Sequence, residues 1–183
     1  MYPVARGLAP VLVLVGAVAL TGAATTPRQV AGVLLVAAGI LLVRGVRRGK
    51  GAPVAVMIAC VIATYTVVDK HGVVHASPVA YLEVMTILTG GVYAAVIVGR
   101  RGTSVLRAEL NRRSVAAGVG MFAAYVAVLA ALQLASAASV AAVRESGVLV
   151  ATALAAIFLR ERVTAWRAGG AVLVVSGIVL LAF

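Results

Sequence analysis

Three charged side chains stand within or beside long apolar stretches of this sequence, where they could act on a solute. Glu83 interrupts the apolar run 76–99, and Arg144 and Glu145 are adjacent at the head of the uncharged run 146–159. Ionisable groups inside a bilayer are costly and usually face a cavity or a partner. We expect these residues to line a substrate path, with Arg144 receiving an anionic group and Glu83 or Glu145 a cation or a proton.

A structural role for the same pair competes with this interpretation. Arg144 could extend its guanidinium to lipid headgroups from a position near a helix end. Glu145 would then be its ion-pair partner, or a first-turn acid favoured by the helix dipole. The residues alone leave both alternatives open. Four uncharged polar residues are further candidates for the path, because they can hydrogen-bond a solute. They are Tyr65, Tyr81, Tyr125 and Gln133.

The composition indicates that the solvent of these residues is lipid. The 183 residues are 63% hydrophobic and 11% charged, whereas soluble domains average roughly 45–50% apolar and about 25% charged residues. The single cysteine, Cys60, excludes a disulfide framework, and we predict neither a metal nor a cofactor. The net charge of +11 would suggest nucleic acid in a soluble protein. Here the basic residues fall between apolar runs, so we expect no nucleic-acid partner.

The uncharged runs predict an all-α membrane protein with about seven transmembrane helices. About twenty residues of helix cross a bilayer, and continuous apolar runs argue against the alternating strands of a membrane barrel. The long run 114–159 fits two spans with a turn near the sequence ASAAS, 135–139. We expect 144–164 to be one whole transmembrane helix, and 69–75 to be a solvated loop. The other predicted spans are 8–24, 30–43, 51–68, 76–99 and 168–183.

An internal repeat relates the two ends of the chain. When residues 6–43 (the first copy) are placed on residues 144–181 (the second copy), nine of 38 positions are identical, including Arg6 with Arg144. Each copy also has two glycines seven residues apart, on one helix face, where they allow helices to approach closely. These predicted packing positions are Gly32, Gly39, Gly170 and Gly177. Internal repeats are typical of transporters that rock two halves around a central site.

A resemblance to a known family lies in the second copy and the three residues before it. This stretch, 141–181, reads AAVRESGVLVATALAAIFLRERVTAWRAGGAVLVVSGIVLL. It resembles the end of an EamA-type repeat of the drug/metabolite transporter superfamily. Residues 159–161 stand for the Leu-Gly-Glu-like stop of that repeat, with Arg160 in place of Gly, and Thr164 matches its Thr. The first copy has Ala23 in place of the Glu. Residues 62–73 resemble the close of the repeat's first helix.

The resemblance covers nearly the whole chain and implies ten helices in two five-helix repeats. Residues 1–49 would be the last two helices of the first repeat and 50–183 a complete second repeat, with three helices absent before Met1. It implies a transporter that moves a small metabolite or drug-like solute by alternating access, secondary active or facilitated. The alternative is a non-transporting membrane subunit, or a truncated remnant that needs a partner chain. The expected partners are the lipid bilayer, a small-molecule substrate, and a homodimer or the missing N-terminal half.

The sequence contains no catalytic constellation, so we predict that the chain is not an enzyme. Loop charges predict its orientation in the cell's inner (plasma) membrane. One side would hold 13 basic residues, with Arg6 counted among its loop residues, and the other only Arg28 and Lys70. The positive-inside rule puts the first side in the cytoplasm. With seven helices the C-terminus then lies outside, whereas the family resemblance implies both ends inside.

Overall fold

A computed structural model describes residues 2–22, 24–44, 52–158 and 164–182 of the chain. Within these ranges the chain is almost entirely α-helical and contains no strand. The predicted stop at 159–161, Ala23, most of the basic loop 44–50 and the predicted repeat boundary lie outside the described residues. The helices are α1 Tyr2–Thr21, α2 Pro27–Arg44, α3 Ala52–His75, α4 Pro78–Arg101, α5 Thr103–Glu109, α6 Arg112–Leu134, α7 Ala137–Arg144, α8 Gly147–Phe158 and α9 Ala165–Ala182.

The lengths and hydropathies of these helices confirm the all-α membrane fold. In the described ranges, five helical segments are long and apolar enough to cross a bilayer: α3, α4, α6, α9 and the stretch Ala137–Phe158 that contains α7 and α8. Helices α1 and α2 contain shorter apolar helices, Ala5–Leu20 and Pro27–Val43. The seven segments correspond to the seven predicted spans, and α6 ends beside the predicted turn at 135–139. The division into repeats 1–49 and 50–183 stays a prediction.

Helix α3 is longer than the sequence suggests. The predicted loop 69–75 is wrong, because α3 continues to His75 and buries Asp69, which is 8% exposed. Val67 and Val73 are buried on either side of Asp69. Burial of these apolar side chains holds the helix together through the polar stretch, because tertiary packing contributes more to helix stability than residue propensity does.

Contacts divide the chain into two compact units, and the first comprises residues 1–69 and 135–183. Its tightest packing joins α2 to α9 through the four predicted glycines. A Cβ atom at Gly39 would lie 2.6 Å from the Gly170 carbonyl oxygen, and one at Gly177 would lie 2.7 Å from the Gly32 carbonyl oxygen. The backbones therefore touch at both points, as small residues permit in membrane helices.

The glycine pairs also give the relative direction of the two helices. Gly32 meets Gly177 while Gly39 meets Gly170, so rising residue numbers on α2 face falling numbers on α9. The two helices are antiparallel. In the repeat, however, Gly32 corresponds to Gly170 and Gly39 to Gly177. Exchanging the two copies therefore maps this interface onto itself, as a two-fold axis between inverted copies would.

The second unit comprises residues 70–134, from the end of α3 through α6. Helix α4 begins after Ser77, whose side-chain oxygen accepts a hydrogen bond from the Ala80 N–H at 3.3 Å. It ends at Gly102, whose φ of +77° favours glycine. The short helix α5 follows Gly102 and buries none of its residues.

Candidate functional site

The membrane-spanning stretch Ala137–Phe158 is interrupted at the predicted ion pair. Helix α7 ends at Arg144, and α8 begins only at Gly147. Between them the Val148 N–H donates to the Glu145 carbonyl, three residues back instead of four, at 2.9 Å. The predicted single helix 144–164 is therefore wrong at its start, because the span begins at Ala137 and is interrupted after Arg144. Tightened turns of this kind inside a helix often mark a functional hinge.

The carboxylate of Glu145 lies inside the first unit, next to an arginine of α1. Glu145 is 6% exposed, and its Oε2 lies 3.6 Å from Nη1 of Arg6. An ionised carboxylate is costly to bury unless an opposite charge accompanies it, and Arg6 supplies that charge. Counting Arg6 as a loop residue is wrong, because it lies within α1.

Arg144 packs against an aromatic ring of α3. Its Cζ atom lies 5.8 Å from the centroid of the Tyr65 ring, within the roughly 6 Å range of a cation–π contact. Three of the seven predicted path residues, Tyr65, Arg144 and Glu145, thus lie together in the first unit. Arg144 is also the eighth residue of its membrane-spanning stretch, about 11 Å from the start at 1.5 Å per residue.

A small cavity of about 40 Å³ lies among these side chains; we call it the inner cavity. One water needs roughly 10–15 Å³ of such space, so the inner cavity has room for a few waters or one small polar group. Its lining combines three charged side chains, Arg6, Arg144 and Glu145, which we call the charged cluster, with residues of α1, α3 and α7. Those further residues are Ala9, Ile62, Tyr65, Thr66 and Ala141.

Both copies of the repeat lack one helical hydrogen bond next to their arginines. In α1, Pro10 stands four residues after Arg6 and has no N–H to donate to the Arg6 carbonyl. In the second copy, Val148 stands four residues after Arg144, and its N–H bonds to Glu145 instead. The same helical hydrogen bond is therefore absent from both copies. Helices bend most readily where such a bond is missing.

A larger cavity, which we call the outer cavity, opens at the start of α2. Its volume is about 610 Å³, within the roughly 300–1,000 Å³ of typical ligand pockets. The Gln29 side-chain amide donates to the hydroxyls of Ser136 and Ser139, the latter at 3.2 Å, and so ties α2 to the start of α7. The lining residues are Thr26, Pro27, Arg28, Gln29, Ser139, Leu180, Leu181 and Ala182.

Helix α7 contributes residues to the lining of both cavities. Ser139 lines the outer cavity, whereas Ala141 and Arg144 line the inner one. Arg144 is five positions after Ser139, about 7.5 Å along a helix.

The four remaining path candidates belong to the second unit. Glu83 is exposed on α4, and Tyr125 is half-buried on α6. The Gln133 side-chain amide donates to the Val73 carbonyl at 2.9 Å and so fastens the end of α6 to the end of α3. This contact gives Gln133 a structural role. The place of Gln133 on a solute path stays a prediction.

Tyr81 in the second unit packs against a glycine. A Cβ atom added at Gly72 would overlap an edge carbon of the Tyr81 ring. The ring therefore occupies the space beside Gly72, where no larger residue fits without moving it. This contact shows packing between the end of α3 and the start of α4, and a role for Tyr81 toward a solute stays a prediction.

Arg6 and Thr66 are the polar residues of the inner cavity that sequence reasoning missed. The repeat supplied a signal for Arg6, because it corresponds to Arg144, but the position of Arg6 near the chain start favoured a loop. Thr66 gave a weaker signal, because threonines are common in apolar helices, where the hydroxyl donates to a carbonyl of the same helix. Here the Thr66 hydroxyl donates to the Ile62 carbonyl at 2.7 Å. Among the described residues, no group of three His, Cys, Asp or Glu could hold a metal ion.

Comparison with known proteins identifies the kind of molecule that this site belongs to. A model of the EamA-like transporter family matches residues 49–183. No curated protein and no solved structure matches the chain. The matched residues include α3 to α9, and with them Tyr65, Arg144 and Glu145, whereas Arg6 precedes the match. A match over most of the chain confirms the resemblance seen in the sequence. The chain is a multi-pass membrane protein that belongs to the EamA-like transporter family, within the drug/metabolite transporter superfamily.

Proposed function

We propose that this protein moves a small metabolite or drug-like solute across the plasma membrane by alternating access around the charged cluster. The main observation behind this proposal is the break between α7 and α8. Glu145 and Arg144 lie at this break, beside a cavity inside a membrane-spanning unit. Charges within a bilayer usually mark solute paths. Transporters often build their sites where a helix is interrupted, because freed backbone and side-chain groups can then face the solute.

The two cavities suggest how a solute would travel. It would first occupy the outer cavity, which is large enough for a whole small molecule. Its polar group would then reach the charged cluster along α7. The inner cavity is too small for a whole metabolite, so passage requires the helices around it to separate. The turn after Arg144 and the proline after Arg6 are the places where the helices would bend.

The packing of α2 on α9 supports a motion of this kind. Backbone contact at two points fixes these helices to each other, while α1 and α7–α8 have a missing hydrogen bond each. A rigid α2–α9 pair beside two bendable helices permits small movements of α1 and α7–α8 against that pair, without loss of the core. The driving force would be an ion gradient or the solute's own gradient.

The test is uptake by the purified full chain in lipid vesicles, with a broad panel of radiolabelled metabolites. We expect saturable uptake of at least one solute, accelerated when the vesicles are preloaded with that solute. Arg144→Gln should reduce this uptake about ten- to a hundredfold, because it removes a charge that binds the solute. Arg113→Gln, at the exposed start of α6, is the control and should transport normally. Uptake equal to that of empty vesicles for the whole panel would favour the non-transporting subunit.

A further inference from the structure

The segment between α4 and α6 and the helix ends beside it carry five arginines, which we call the arginine surface. Arg100 and Arg101 end α4, Arg107 lies on α5, and Arg112 and Arg113 begin α6. All five are exposed, and all belong to the second compact unit. We infer that the arginine surface binds the phosphates of anionic lipids in the surrounding bilayer.

The charge of the arginine surface is not balanced within the part of the chain that the structure describes. None of the five arginines forms a salt bridge with an acidic side chain there. The segment 100–113 contains one acidic residue, Glu109, and therefore has an excess of four positive charges. Clusters of four or more basic residues beside a membrane-spanning helix are typical of sites for anionic lipids.

The lengths of the helices put the arginine surface at the level of the lipid headgroups. Helix α4 has 24 residues and α6 has 23, about 36 Å and 35 Å at 1.5 Å per residue, whereas the hydrocarbon is about 30 Å thick. The charged ends of both helices therefore reach the headgroup layer. Helix α5 has seven residues, about 10 Å, and contacts α4, so Arg107 stays close to the same layer.

The residue types on and beside α5 favour a lipid over a soluble anion. Val105 and Leu106 are only half-buried, and Leu110 is 77% exposed. A nucleic acid or a free phosphate would leave these apolar side chains in water, whereas the acyl chains beneath a lipid headgroup would cover them. The basic residues of the segment are all arginines, and a guanidinium can donate two parallel hydrogen bonds to one phosphate.

The unfolding temperature of the full chain in lipid nanodiscs measures this binding. Nanodiscs that contain phosphatidylglycerol should raise it by about 5 °C over nanodiscs of phosphatidylcholine with the same acyl chains, because the anionic lipid binds the folded chain. Salt at about 1 M should remove most of the rise, because it screens exposed charges. Inorganic phosphate added to phosphatidylcholine nanodiscs should cause no rise.

Variants with one change on each helix test whether the arginines cause the rise. The triple variant Arg101→Gln, Arg107→Gln and Arg112→Gln should lose most of it. Glu109→Gln, in the same segment, should keep all of it, because no positive charge is removed. Lysine at the same three positions should keep part of the rise, because the charge remains whereas the paired hydrogen bonds do not.

An equal unfolding temperature in both kinds of nanodisc would overturn the proposed lipid site. A full rise in a folded triple variant would mean that the lipid binds elsewhere, and a rise with inorganic phosphate would indicate a site for free anions. If the triple variant does not fold, the unmodified chain decides: a rise that persists in high salt would contradict binding by exposed arginines. None of these measurements depends on transport, and the transport control Arg113→Gln leaves four of the five arginines in place.

Discussion

Packing alone does not explain why a glutamate stands at position 145. It is buried in a lipid-embedded unit, and a leucine there would avoid the cost of desolvating a charge. The ion pair with Arg6 offsets part of that cost, yet pairs of this kind often stabilise no better than apolar residues. We propose that this buried ion pair serves the solute path, because charges within a bilayer usually mark such paths.

A double-mutant cycle measures how strongly Arg6 and Glu145 interact. We expect Arg6→Met alone to destabilise the protein by about 1–3 kcal/mol, because it leaves a buried carboxylate beside an apolar side chain. Glu145→Gln in addition should restore part of the loss, with a coupling energy of roughly 0.5–3 kcal/mol. Thermal unfolding in detergent gives all four stabilities. Additive losses would show that the 3.6 Å contact has no energetic weight.

Part of the site could be predicted from residue type alone. Ionisable side chains in apolar runs are conspicuous, so Arg144 and Glu145 were found, and Tyr65 was found as a hydrogen-bonding residue in a span. The partner of Glu145 was not found, because Arg6 lies 139 positions away in the sequence. The grouping of these residues depends on how helices pack, which residue types do not reveal.

The sequence predicts the packing faces of α2 and α9 better than it predicts the break between α7 and α8. The glycine faces of α2 and α9 were predictable, because glycines seven residues apart mark a close-packing face, but the contact of these two faces with each other was not. The break between α7 and α8 was not predictable, because no proline stands there. Ser146 and Gly147 are only weak helix formers, and such residues occur in many unbroken helices. The break coincides with the burial of Glu145, which is 6% exposed.

Neighbouring glycines of α9 give a matched test of the helix contact. A Cβ atom at Gly170 would lie 2.7 Å from both the Gly39 carbonyl oxygen and the Val43 nitrogen, whereas one at Gly169 meets nothing within 4 Å. We expect Gly170→Ala to lower stability by about 1–3 kcal/mol, because backbone cannot yield cheaply. Gly169→Ala should be neutral or slightly stabilising. Equal unfolding temperatures in detergent for the two variants would contradict the close contact.

The whole molecule is a membrane protein whose loop charges predict an orientation. Helix α4 separates Ser77 from Ser104, and its 24 residues extend about 36 Å, enough to cross the hydrocarbon. Arginines at 100, 101, 107, 112 and 113 surround Ser104. From the positive-inside rule we propose that Ser104 faces the cytoplasm and Ser77 the opposite side. Cysteines at these two positions are natural markers for the two faces of the membrane.

Alternating access predicts that the inner cavity opens to each side in turn. Thr66 lines this cavity and is 3% exposed, and Thr66→Cys changes its size little. The most direct measurement labels this cysteine, in a Cys60→Ala background, with a membrane-impermeant thiol reagent applied to either face. Single cysteines at Ser77 and Ser104 serve as controls, each of which should react from one face only. We predict that Cys at position 66 reacts from both faces and is protected by a transported solute. Reaction from one face alone, or from neither, would contradict alternating access at this site.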